Sequence, residues 1–248
     1  MKFLSAILSL MLLFLPVLCA ADSVQLTLDR EATLFWPEGT GADDAVYTYH
    51  YLLPRAGGED PVAEGINAFY EYMESDTVDF TLPIGGESLS DPTLPARTDV
   101  TASITCQTDS YVSILMETRS FLDGEHYLNY SAQVFAKQGN KQGLVISLPY
   151  LLGTLSDSEA DTWLQDRQTQ KADACVRRLI WEEIEASEMD LLPDVTFDFF
   201  SAMFYPEEDF YLLDDHTLVF FVQPGILTDQ TDAPALFELD LDLILDEI

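Results

Sequence analysis

Glu125 and His126 stand side by side in the stretch FLDGEHYLNYS, residues 121–131, of a chain with only 3 histidines. A carboxylate beside an imidazole is the smallest unit of general base catalysis, the acid orienting the ring that takes the proton. Neighbouring residues of a strand point to opposite faces, so that contact would need a turn. The Asp123-Gly124 dipeptide in front of the pair supplies one, and the tip of a hairpin is the simpler assignment. His50 sits in a tyrosine-rich segment and His216 in an acidic one. Neither has a ligating partner two or four residues away, so no metal site is expected.

Other catalytic signatures are missing. The chain has no H-E-x-x-H, no G-x-S-x-G, no P-loop and no dinucleotide fingerprint, and no cofactor is implied. Carboxylate pairs recur at Glu182-Glu183, Glu207-Glu208 and Asp214-Asp215. Glycosidases use two carboxylates at a set separation, but in a chain with 44 acidic residues such pairs arise by chance. The terminal DLDLILDE lacks the glycine-turned loop of an EF-hand and reads as a solvated strand face. No catalytic residue is assigned on these grounds.

The charge balance says more. Against the 44 acids stand 11 basic residues, a formal net charge of −33. Hydrophobic content of 48% and aromatic content of 12% are those of a folded chain rather than an acidic disordered one. The resulting field repels nucleic acid, anionic lipid and anionic polymers, and attracts cations or a basic protein. Solubility alone also accounts for it.

The chain opens MKFLSAILSLMLLFLPVLCAADS. Lys2, an apolar run to Val17, Pro16 and small residues after it have the layout of a secretory signal peptide over residues 1–20. No basic stop-transfer cluster follows, so no stable membrane span is expected after cleavage. Lipidation at Cys19 fits less well, because the bulky Leu18 precedes it. An extracytoplasmic chain would then keep Cys106 and Cys175. In an oxidising compartment they invite a disulfide, and equally they suit two buried thiols.

The elements that position these residues read as α+β. Strands are expected over 23–36, 46–53, 100–106, 110–118, 127–136 and 143–152, the last four as an antiparallel meander. Asp60 then Pro61 starts a helix with a capping carboxylate and a proline in the first turn. Val62, Ile66, Phe69, Tyr70 and Met73 form its apolar face. A proline- and glycine-rich loop over 83–99 divides an N-terminal segment, 21–95, from a larger part, 96–248. Ser156 and Glu159 have capping-box spacing at the start of one long helix running to about Ala186. Its apolar face carries Ala172, Cys175, Val176, Leu179, Ile180 and Ile184. A hairpin follows, Phe210–Leu213 and Thr217–Val222 around Asp214, Asp215 and His216. A strand from Ala235 to Leu239 and a short terminal helix close the chain. The expected architecture is an antiparallel sheet with packed helices, the long helix lying between meander and hairpin.

Several of these motifs together resemble the extracytoplasmic domain of RsiV-like anti-sigma factors, which sense lysozyme. The resemblance is carried by the turn Asp123-Gly124-Glu125-His126, the strand and turn Ser131 to Gly139, the leucine-rich approach Leu148 to Gly153, and the hairpin Phe210 to Phe220. Upstream, TYHYLLPRAGGEDPVAEGINAFYEYM is similar to the segment that precedes this domain, with Ile66-Asn67 near its helix start. Two turn positions depart from the family pattern, Asp123 for a glycine and Glu125 for an alanine. The same domain type stands beside peptidoglycan deacetylase domains. The resemblance implies an α+β fold in the bacterial cell envelope and a non-enzymatic, lysozyme-binding role, with a basic protein such as lysozyme as partner. Glu125, His126, Asp214, Asp215 and His216 are the expected contacts. The alternative is an accessory to an envelope hydrolase or deacetylase.

Overall fold

The computed structural model describes residues 24–155 and 162–248. The leader and the Ser156–Glu159 pair lie outside the described residues. β1 (Gln25–Trp36) and β2 (Tyr47–Gly57) form an antiparallel hairpin. α1 (Pro61–Asp76) starts where the sequence places it: the Asp60 carboxylate accepts the N–H of Val62 at 2.9 Å and of Ala63 at 3.2 Å. A π-turn, Thr77–Thr81, joins α1 to α2 (Leu82–Glu87), so the first part of the expected 83–99 loop is helical. The chain then returns through β3 (Ala96–Gln107), β4 (Tyr111–Leu122) and β5 (Glu125–Ala136).

Past β5 the structure departs from the expected long strand. β6 is only Val145–Ile146, and α3 (Leu148–Leu151) follows at once. Pro149 has no N–H for a ladder, and it sits in the first turn of α3, where none is needed. α4 (Thr162–Ala186), α5 (Phe197–Met203), β7 (Phe210–Leu212), β8 (Thr217–Val222), β9 (Ala235–Asp240) and α6 (Leu241–Glu247) complete the described chain.

The strands make two sheets, β1-β2-β3-β4-β5-β6 and β7-β8-β9. All pairs are antiparallel except β2 with β3, which run parallel from Tyr47↔Ala96 to Leu52↔Thr101. That crossover, made through α1, places strands from either side of residue 95 in one sheet.

Side-chain alternation builds layers from this order. Tyr47, Tyr49, Tyr51, Val100, Val112, Ile114 and Phe135 point to one face of the large sheet, against Val62, Ile66 and Tyr70 of α1. From the other face Leu115, Tyr130 and Ala132 meet Tyr211, Val219 and Phe221 of the small sheet. The alternate residues of the small sheet, Phe210, Leu212, Leu218, Phe220 and Val222, pack with Val176, Ile180 and Ile184 of α4 and with Phe200 and Phe204. The protein is α+β, with the small sheet between the large sheet and the α4–α5 layer.

One glycine shows how closely α1 is held. A Cβ at Gly65 would lie 2.0 Å from the Gly143 carbonyl oxygen, so the turn between β5 and β6 rests directly on the helix.

Candidate functional site

The two turns singled out from the sequence are both well formed, and they are far apart. Asp123 (φ +51°) and Gly124 (φ +86°) are both left-handed, the signature of a two-residue hairpin loop. The Asp123 carboxylate accepts the N–H of Ser90 at 2.9 Å and of Asp91 at 3.1 Å, tying this tip to the loop before β3. Glu125 and His126 are exposed just beyond it. The His126 ring lies against Phe121, centroids 4.7 Å apart, and lines a hollow shared with Arg97, Asp99 and Arg119.

The second turn serves its own backbone. Asp214 Oδ1 accepts the N–H of His216 and of Thr217, both at 2.8 Å. Those two bonds hold its carboxyl below the ordinary range. Asp215 accepts the Thr108 hydroxyl, and the His216 carbonyl accepts the Leu241 N–H at 2.7 Å. Thr108 lies at one end of β4 and Asp123 at the other. The twelve residues of β4 therefore separate the two turns by roughly 35 Å, at a rise of about 3.3 Å per residue. The fold does not bring Glu125 and His126 together with Asp214, Asp215 and His216.

Cys106 and Cys175 are both buried and unbridged. They face different surroundings. Burial, then the charges of Asp215 and Asp214, push Cys106 up to about 11. Burial also raises Cys175, but its charged neighbours are Arg178, Glu247 and Lys171. A bulge between Ile104 and Cys106 breaks the strand alternation there, leaving Cys106 buried and Ile104 exposed.

A further concavity lies elsewhere. A cleft of about 810 Å³ runs along the outer edge of β5, residues Asn129 to Val134, and past β6. Its opposite wall is the segment from Met203 to Phe210, with Gln223 and Ile226. Phe69, Val134, Ile146 and Phe210 supply apolar surface. Glu207, Glu208 and Asp209 supply charge, and the described lining holds no Lys, Arg or His. Exposed Tyr205 and Met203 stand beside the acids.

Two carboxyls here are perturbed. Burial pushes Asp209 up to about 6, against the opposing effect of the Tyr205 N–H that it accepts at 2.9 Å. Behind the cleft wall, Asp173 of α4 shares a hydrogen bond with Glu207. Burial first, and then the Glu207 carboxyl, push Asp173 up to about 7, while Arg177 pulls it down. Arg177 also donates to the Phe204 carbonyl at 3.2 Å, holding α4 to this segment. Glu207-Glu208 looks in the sequence like one chance pair among many. The one signal that could have marked it is three successive acids after Pro206, immediately ahead of a buried strand.

Among the described residues no group of three or more His, Cys, Asp or Glu could hold a metal ion. No helix there is long and apolar enough to cross a membrane.

A layered α+β fold with an acidic cleft beside a sheet edge defines the class. No sequence-family model and no curated protein matches the chain. Solved structures do share its fold. A DUF3298 family protein from Pseudomonas aeruginosa PAO1 superposes with a TM-score of 0.50 at 13% identity, over 92% of this chain and 94% of that one. A DUF3298 family member from Bacteroides fragilis NCTC 9343 gives 0.51 at 10% identity, over 89% and 92%. At these identities what is shared with the DUF3298 family proteins is the fold.

Proposed function

We propose that the protein is an extracytoplasmic, non-enzymatic binding domain whose acidic cleft receives a basic protein, with lysozyme as the leading partner. The observation that carries this reading is the cleft lining: Glu207, Glu208 and Asp209 over an apolar floor, with no basic side chain among the described lining residues. A chain with a net charge of −33 adds long-range attraction, which speeds encounter more than it tightens the complex. Lysozyme enters from the motif resemblance, and secretion from the leader.

The two hairpin turns suit this role less well. The Glu125-His126 tip opens on a hollow that includes Arg97 and Arg119, and the Asp214 carboxylate is engaged by its own backbone. The hydrolase-accessory alternative draws on Asp209, an acid raised toward neutrality in a cleft, as catalytic acids are. Its bond from Tyr205 N–H gives it a structural role instead, bracing the 205–209 turn.

Calorimetric titration with a c-type lysozyme at low and high salt tests the proposal, with a Glu207→Gln, Glu208→Gln variant alongside. Binding that persists at high salt and weakens at least tenfold in the variant is the expected result. Binding abolished by salt alone reduces the interaction to screened attraction between net charges. Equal binding by the variant removes the cleft from it.

A further inference from the structure

The same cleft has a feature that says how a partner is held. β5 is paired with β4 along its whole length, from Leu122↔Glu125 to Tyr111↔Ala136. On its other edge β6 covers only Val134 and Phe135. From Glu125 to Gln133 no described strand lies against that edge. An unpaired edge inside a protein surface is a template for another strand.

At the middle of this open stretch a side chain stands in for one. The Tyr130 N–H donates to Gln223 Oε1 at 2.9 Å, and Gln223 Nε2 donates to the Tyr130 carbonyl at 2.8 Å. These are the two bonds that one residue of a neighbouring antiparallel strand would make. Strand backbone groups alternate in direction, and the β4–β5 register runs without a bulge. Leu128 and Ala132, two residues either side of Tyr130, therefore present their N–H and C=O to the same edge. Residues Asn129 to Val134 of that edge form one wall of the acidic cleft.

We infer that the cleft takes an extended, basic segment of a protein partner as an added strand on β5, displacing the Gln223 amide from Tyr130. The inference rests on the acidic-cleft reading above and adds the mode of recognition. Backbone pairing supplies the hold, and alternate side chains meet different walls. One set faces the apolar floor. The other reaches Glu207 and Glu208, where lysine or arginine is favoured. A second copy of this chain does not fit, because 44 acids against 11 bases make two copies repel.

The probe is a short peptide of alternating lysine and threonine, compared with the same peptide N-methylated at every second residue. Methylation keeps the charge and removes the donors that an added strand needs. Both are titrated into the protein, and amide hydrogen exchange is followed at Leu128 and Ala132. The expected result is roughly tenfold or greater loss of affinity on methylation, with slowed exchange at both amides only for the unmethylated peptide. A Gln223→Ala variant, its edge vacated, is expected to bind the unmethylated peptide about threefold tighter. Equal affinity for the two peptides would overturn strand addition while leaving the acidic cleft as an electrostatic site. Failure of both to bind would overturn it as well. Peptide binding without lysozyme binding would keep strand addition and remove lysozyme as the partner.

Discussion

The protein carries acidic clusters on both sides of its large sheet, and it treats them in opposite ways. On the α1 side, Glu71 and Glu74 converge on Arg30, at 3.1 and 2.9 Å, and Asn67 accepts from the same guanidinium at 3.2 Å. Arg30 is almost wholly buried, while Glu71 reaches solvent, so each acid of this cluster has a cation beside it. On the other side, Glu207, Glu208 and Asp209 line a cleft with no basic counterpart in its described wall. Like charges left together without a cation oppose folding. The contrast teaches that acidity alone does not mark a site. What distinguishes the second cluster is that no basic side chain is among its described lining residues.

The sharpest way to break this comparison is to make the closed side resemble the open one. Arg30→Met leaves Glu71 and Glu74 facing each other with no cation. The two carboxylates left behind reach solvent, so the loss is chiefly that of the hydrogen bonds of the charged guanidinium, about 2 to 3 kcal/mol, and urea denaturation should read it. Glu207→Gln on the open side should be neutral or stabilising in the same assay, because it relieves repulsion with Asp173. Equal losses from both variants would mean that the two clusters are alike.

Packing offers a second contrast. Gly65→Ala should help an isolated helix by about 1 kcal/mol. In the folded chain the new methyl group meets the Gly143 carbonyl at an impossible distance. The substitution is expected to destabilise by about 2 kcal/mol, the usual cost of overfilling a packed contact. A gain in stability would show that α1 is held loosely.

The open side should also respond to pH. Asp173, raised to about 7, and Asp209, raised to about 6, both favour the protonated form in the folded protein. Their stabilising contribution is complete below the unfolded value of about 3.8 and is lost as pH rises through about 6 to 7. Thermal stability is therefore expected to rise by a few degrees as pH falls from 7.5 to 5. Asp173→Asn should flatten that slope and raise the melting temperature at pH 7.5. An unchanged slope would place the effect in the net charge of the whole chain.

Much of the scaffold was legible in the sequence because its signals are local. Asp60-Pro61 marks the start of α1, and the tyrosine-rich stretch 46–53 marks β2. The Phe210 to Val222 hairpin likewise follows from a turn chemistry contained in a few residues. The parallel β2–β3 pairing was not legible, since nothing in either strand encodes its neighbour across α1 and the loop. The cleft was hidden for the same reason. Its walls come from Phe69, β5, β6, the 203–210 segment and Gln223, and only the tertiary fold joins them. The histidines and paired acids drew attention in the sequence because of their side-chain chemistry. An unpaired strand edge is a property of backbone groups, and it has no residue type to announce it.

The smallest expected effect comes from the Asp214 turn. Its carboxylate accepts two backbone N–H groups and the Thr217 hydroxyl, which makes it a local brace for the β7–β8 hairpin. The lowered pKa of Asp214 has the opposite sign to the raised one of Asp173: its contribution is present above the unfolded value of about 3.8 and is lost as pH falls through the depressed one. Asp214→Ala should lower the melting temperature by a degree or two at pH 7 and converge on the parent in strong acid. Binding of a basic protein at high salt should be unchanged, because the turn and the cleft are different surfaces. A variant that melts normally but loses that binding would return Asp214 to the contact surface. The division between acids that brace the fold and acids that face a partner would then have to be redrawn.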